Sequence, residues 1–476
     1  MLGKPLIAAA AAVILHFPVA LGAGLAVNSD GVAAIPANPE REAYFGDLHL
    51  HTSYSFDAYV LYGTQVTPEQ AYQFARGDSI DYQGHQVKRP WPLDFMAVTD
   101  HAENIGVLNN VKNETGPGYR QPGKSLREIF FALFSSKTPI TGIDAQALAA
   151  SAWEREIRAA NSYNQPGKFT TFIGYEWTAK ADEKTPIHRN VIFRGDNAPI
   201  PFSALDSANP EDLWAYLEVN RKRGFEAFAI PHNANLSNGL MYDWNSNDGR
   251  PIDQAYALRR AMNEPLSEIS QIKGQSETHP ALSAADEFAG FELLDRVTAD
   301  GHHREVHGSY IRDAYGRGLV LGHNVGANPY KFGVVGGSDL HNGLSSSDEG
   351  TYGGVEGGAD PAYATSADDM RKIIRSYQDT KLYDFDVEGG TFNAYDITTG
   401  SAGLTGVWAE RNTRESIYDA LRRKETFATS GPRVKVRFFG GWSYASNLLR
   451  RSDWIKQAYA GGVPMGSDLP SRSSQA

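Results

Sequence analysis

His49 and His51 follow directly on the apolar run 44–48, and in an extended chain their spacing of two turns both imidazoles to one side. Two imidazoles held that way can grip a single metal ion. Later apolar runs end in the same fashion. Residues 93–99 lead into Asp100 and His101, 169–174 into Tyr175, Glu176 and Trp177, and 225–230 into Pro231, His232 and Asn233. A fifth run, 333–336, passes Gly337 and Ser338 to reach Asp339 and His341, again two apart. Its glycines let backbone approach a site closely. Taken singly, each ending also suits a helix cap or a surface turn. Together and in chain order, they suit nitrogen and oxygen donors gathered at the ends of barrel strands. The chain has no cysteine, so thiolate sites are excluded and any metal must rest on the 13 histidines and the acids.

The elements that must position these residues read as a β/α layout, with short apolar runs alternating with amphipathic stretches. The pattern predicts strands at 44–48, 95–98, 169–175, 190–193, 225–230, 288–294 and 332–336. It predicts helices at 68–76, 145–161, 210–221, 303–316, 366–376 and 414–423. In 145–161, Leu148, Ser151, Ala152, Arg155 and Ala159 share one face and Trp153 and Ile157 form a pair on another, with Asp144 as N-terminal cap. Thr67 before Pro68 suits a second cap. The glycine-rich stretches 343–358 and 389–405 fit pocket rims or lids. Tyr54, Phe56, Tyr59 and Tyr62 follow the first histidine pair and fit either packing or an apolar pocket wall. His85, His302, His303 and His307 read as surface residues, and His323, after the apolar run 319–321, is a candidate sixth strand ending.

Read together, the five endings resemble the PHP superfamily, named for polymerase and histidinol phosphatase, over residues 44–432. Within it the chain is similar to a bacterial branch, the domain of unknown function 3604, through 188–193, 270–280 and the closing stretch from Trp408 to Arg433. The resemblance implies an α/β fold: a distorted (β/α)7 TIM-like barrel of the PHP type with inserted loops. It implies a site of two or three divalent metal ions (zinc, manganese or iron) with His101, Glu176 and Asp339 at the catalytic centre. His49 and His51 would bind one metal with Asp339, Glu176 would bridge to a second held by His232, and Asp57, His101 and His341 would form a third position. A further ligand expected after His232 has no plain counterpart, since Lys273 stands there with Glu277 and His279 just beyond. His279 is the preferred replacement, because imidazole is the commoner one. Glu277 or a water are alternatives, and Lys273 equally suits a substrate-binding cation. His188 belongs to the pocket wall on this reading, and Arg189 meets either a substrate anion or a structural partner.

The whole chain bounds what this site serves. Its 476 residues, 41% hydrophobic and 21% charged, fit one barrel with insertions as well as two domains. A net charge of -11 argues against nucleic acid as partner, but a metal cluster reverses the local field, so a small anionic ester remains a fitting substrate. Lys4, the apolar run 6–21 and the small residues Gly22, Ala23 and Gly24 read as a signal peptide over 1–24. The run is short for a membrane span and carries Pro18, so cleavage is expected rather than stable insertion. A flexible mature N-terminus at 25–42, a catalytic domain at 43–435 and an extension with a disordered tail at 436–476 complete the expected organisation. The expected protein is periplasmic or secreted: a metal-dependent hydrolase of phosphoesters. The alternatives are hydrolysis of a carboxylic ester, lactone or amide, and an envelope protein that binds metal without turnover.

Overall fold

The structure, a computed structural model, describes residues 35–471 except 61, 113–143, 182–184, 295–304, 349–363, 370, 372–383, 388–389 and 394–399. The signal-like segment, His302, His303, most of 343–358 and of 366–376 and part of 389–405 lie outside the described residues. Residues 37–476 form one unit. Among the described residues no helix is long and apolar enough to cross a membrane.

Chain order begins with β1 (Glu42–Asp47), the hairpin β2 (Ser79–Tyr82) and β3 (His85–Lys88), then β4 (Phe95–Val98) and β5 (Thr170–Trp177). There follow β6 (Arg189–Phe193), β7 (Ala227–Pro231), β8 (Leu266–Gln271), β9 (Gly274–Gln275) and β10 (Gly333–Gly336). After the hairpin β11 (Asp384–Val387) and β12 (Gly390–Asn393) come β13 (Leu404–Ala409), β14 (Thr426–Thr429), β15 (Phe439–Gly440) and β16 (Val463–Pro464). Seven of these form one curled sheet in the order β14-β13-β1-β4-β5-β6-β7, and β10-β8-β9 form a second.

Strands β1, β4 and β5 run parallel, but β6 is antiparallel to both of its neighbours and β13 antiparallel to β1 and β14. The α/β layout read from the sequence is present as a mixed seven-stranded sheet curled into half a barrel, with antiparallel pairs on both sides of its parallel strands. The small sheet is bonded to it at two seams. Ser267 Oγ donates to Pro231 O at 3.2 Å, and Gly403 N donates to Gly337 O at 2.7 Å.

Local chemistry explains most elements. Helix Pro68–Ala75 starts in a capping box, Thr67 accepting from Gln70 N while the Gln70 side chain accepts from Thr67 N. Asp144 caps helix Ala145–Tyr163 through Ala147 N. The buried face of that helix is Ala152, Trp153, Glu156, Ala159 and Ala160, whereas Ser151 and Arg155 face solvent. Trp153 decides the orientation. Its indole is buried and packs edge-on against Tyr175 of β5 at 5.8 Å.

Three sequence expectations fail for identifiable reasons. Residues 288–294 form turns, with Phe288 72% and Phe291 56% exposed, so that run has no core to enter. The helix expected at 303–316 is Ile311–Val325, shifted past a turn at Gly308 with φ +83°. That helix absorbs the run 319–321, which places His323 in its last turn and not at a strand end. Strand β8, Leu-Ser-Glu-Ile-Ser-Gln, carries too many polar residues to read as a strand. Over its described residues, the extension expected at 436–476 carries β15, helix Trp454–Gly461 and β16. Tyr459 there donates to Glu425 Oε1 at 2.5 Å.

Candidate metal centre

The parallel strands β1, β4 and β5, together with β7, β8 and β10, end at one rim of the curled wall, and their terminal residues meet there. Among the described residues three groups of donor atoms result, each gathered within 4.8 Å: His49, His51, Glu176 and Asp339; Glu176, His188 and His232; and His51, His101 and His341. In the first, Asp339 Oδ1 lies 3.3 Å from His49 Nε2 and 3.1 Å from His51 Nε2. Glu176 Oε2 lies 3.4 and 3.1 Å from the same two nitrogens. Donors held about 2.0–2.1 Å from a tetrahedral ion stand about 3.3 Å apart, so these residues fit one. His49 Nε2 is buried and makes no aligned hydrogen bond, as a lone pair aimed at a shared centre would.

Glu176 divides its two oxygens. Oε2 faces the first group, while Oε1 lies 2.9 Å from His188 Nδ1 and 3.2 Å from His232 Nε2. In the third group Asp57 Oδ2 sits 3.0 Å from His101 Nε2 and 3.1 Å from His341 Nε2. Coulomb forces follow this geometry. Burial pushes the carboxyl of Glu176 upward, but His101 and His232 outweigh it and hold the group well below the usual range. Asp339 behaves alike, with His49 and Lys273 overcoming burial. Burial depresses His232 to about 4 and also lowers His188, which leaves both imidazoles neutral and ready to donate. For His101 burial acts downward as well, yet Asp57 and Glu176 raise it to about 9.

A polar layer holds these donors. His51 Nδ1 meets Ser55 Oγ at 2.8 Å, and Asp100 accepts from both Ser55 Oγ and Thr52 N at 2.6 Å. Asp47, buried and with its carboxyl pushed up by that burial, accepts from His49 N and Ser338 N at 3.0 Å, which ties the end of β1 to the turn after β10. Asp339 itself takes a left-handed backbone, φ +52°. Three of the gathered residues reach solvent. Side-chain exposure is 26% for Lys273, 19% for Asp57 and 15% for His188, against 0% for His49, His51 and His232.

A protein family described as being of unknown function, DUF3604, matches residues 38–476. The chain belongs to DUF3604. Among solved structures, this DUF3604 chain is similar to a two-domain protein from Bacteroides vulgatus containing a predicted PHP-like metal-dependent phosphoesterase. Sequence identity is 14%, the match covers 83% of this chain and 67% of that one, and the TM-score is 0.32, too low to carry a functional assignment. No curated protein matches.

In this DUF3604 member the wall brings together His49, His51, Asp57, His101, Glu176, His232, Asp339 and His341. His279 stays apart: its Nδ1 accepts from Ala281 N at 3.1 Å and its ring packs on Tyr310, because the chain beyond β9 turns away from the rim. Glu277 pairs with Arg312 instead. The residue that completes the second group is His188, upstream of His232. Strand β6 runs opposite to its neighbours, so its start lies at the rim where theirs end. A histidine immediately before an antiparallel strand was the available signal. Arg189, one residue on, is turned away and buried, its Nε 3.0 Å from Glu264 Oε1, which makes it a structural ion pair. Lys273 does reach the rim, with Nζ 2.5 Å from Asp339 Oδ2, beside Gln271 Nε2 at 2.7 Å from the same oxygen. His307 is exposed beside Asp313, and His85 lies on the β2–β3 hairpin. Ser55, Gln271 and Glu268 are supporting residues for which the pattern of strand endings gave no sign, whereas Asp100 stands at such an ending and supports the site without joining a donor group.

Proposed function

We propose that this DUF3604 chain is a metal-dependent hydrolase acting on phosphoesters outside the cytoplasm. The observation that carries the reading is the division of Glu176 between two neighbouring donor groups, the arrangement a bridging carboxylate needs. His49, His51 and Asp339 would hold one ion, and His188 and His232 another. Asp57, His101 and His341 offer the third position. Divalent ions bound there supply Lewis acidity toward water and toward phosphoryl oxygens.

The chain's own residues do the rest. Lys273 places an ammonium at the open side, where it attracts and orients an anionic group. Phe56, stacked on His101 at 4.7 Å, shields the third group from bulk water. Thr178 Oγ1 contacts His101 Nδ1 and fixes that ring's orientation. Export rests on the signal-like residues 1–24.

The test is metal analysis of the purified protein, paired with a panel of phosphomonoesters, phosphodiesters and carboxylic esters in added manganese or zinc. At least two ions per chain and chelator-sensitive turnover of a phosphoester are expected. Turnover confined to carboxylic esters would move the reading to a different bond, and bound metal without any turnover would sink it. Lys273→Met should raise KM for the phosphoester about tenfold, the worth of one hydrogen bond to a charged group, while kcat changes little.

A further inference from the structure

We propose that Glu268 is a positioning residue that sets how tightly the first donor group holds its metal, an inference that rests on the metal-centre reading above. Glu268 lies in β8, in register with Val335 of β10, and its Oε2 lies against Gly337 in the turn that delivers Asp339. Its Oε2 is 2.9 Å from His49 Nδ1, with both side chains buried. Its other oxygen, Oε1, is buried without a hydrogen-bond partner.

Burying a carboxylate with a single partner is unfavourable. Glutamine would fill the same volume and still accept from His49, so the property that distinguishes glutamate here is its charge. With Nδ1–H directed to Glu268, the lone pair of His49 Nε2 is turned toward Glu176 Oε2 and Asp339 Oδ1. A carboxylate behind an imidazole also raises its basicity as a ligand. The neighbouring histidine has no such support, since His51 Nδ1 meets the neutral hydroxyl of Ser55. The two imidazoles of the first pair are therefore unequal, and His49 is the stronger donor.

Gly337 makes the contact possible. A Cβ at that position would overlap Glu268 Oε2 and stand 2.7 Å from His49 Cβ. Any side chain there would part the carboxylate from the ring.

The test titrates zinc, and separately manganese, into the metal-stripped full-length chain against a competing chelating dye. Wild type is compared with Glu268→Gln, Gly337→Ala and the double variant, alongside melting curves of the stripped proteins. Glu268→Gln should weaken binding about 10–100-fold, the usual range for an outer partner of a ligand, with the stripped protein melting near wild type. Gly337→Ala should weaken it too, and the double variant should be no worse than the weaker single, because both act on one contact. Unchanged affinity in Glu268→Gln overturns the proposal, as does a lowered melting point with affinity intact. A wild-type chain that takes up neither metal overturns the metal-centre reading instead.

Discussion

Along the seven-stranded sheet, donors stand where regular strands stop: His49 and His51 after β1, His101 after β4, Glu176 within β5 and His232 after β7. The three-stranded sheet works differently. It supplies Asp339 and His341 through a tight turn with a left-handed backbone, and behind them Glu268, Gln271 and Lys273. Extended pairing in the large sheet fixes how far apart its donors lie, and local hydroxyls there orient His51 and His101. The small sheet adds the charge and hydrogen bonds that point His49 and Asp339.

The largest effect should separate the two carboxylates. Glu176→Ala removes an oxygen from both of the first two groups and should cost more than one bound ion per chain, with turnover falling beyond the roughly hundredfold loss typical of an outer partner. Asp339→Ala leaves the Glu176–His188–His232 group whole and should retain one ion. Equal metal loss in the two variants, read by elemental analysis, would break the distinction between the sheets.

A middling effect concerns protons. With metal absent, His101 stands at about 9 against an unfolded value near 6.5. A group raised in this way contributes stability that is complete below pH 6.5 and is lost as pH climbs through 9. Stripped protein should therefore melt progressively lower between those limits, losing at most about 1.4 kcal/mol for each pH step of one, and His101→Ala should flatten the trend. Melting curves across pH in chelator decide it. The smallest effect sharpens the comparison from outside both sheets. Thr67→Ala should cost about 1 kcal/mol through the lost helix cap and leave metal content unchanged. A loss of metal in that variant would show that the centre responds to general loosening of the fold.

Much of the centre was legible in the amino-acid sequence, because an apolar strand ending in histidine or acid leaves a local mark. His49, His51, His101, His232 and the Asp339–His341 pair all carry it. His188 does not, since its strand runs the other way and the apolar residues follow the ligand. His279 drew attention because the resemblance implies a further ligand after His232, and nothing local reveals that it stays apart from the donor groups. Strand β8 was hidden for a related reason: Ser267, Glu268 and Gln271 make polar contacts at the seam and the centre, which erases the apolar signature of a buried strand. Phe288 and Phe291 misled in the opposite sense, being apolar and yet exposed. Glu156, which joins the buried face of its helix, shows the same limit, because burial of a charge depends on neighbours remote in the chain.

Asp339 must satisfy two demands at one position. Its backbone geometry is tolerated by asparagine, aspartate and glycine and costs other residues on the order of 1–2 kcal/mol. Its partners His49, His51 and Lys273 require a negative charge. Asparagine keeps the shape without the charge, and glutamate keeps the charge at the expense of the shape. No other single residue meets both demands, so Asp339→Asn and Asp339→Glu should each weaken the centre, for opposite reasons.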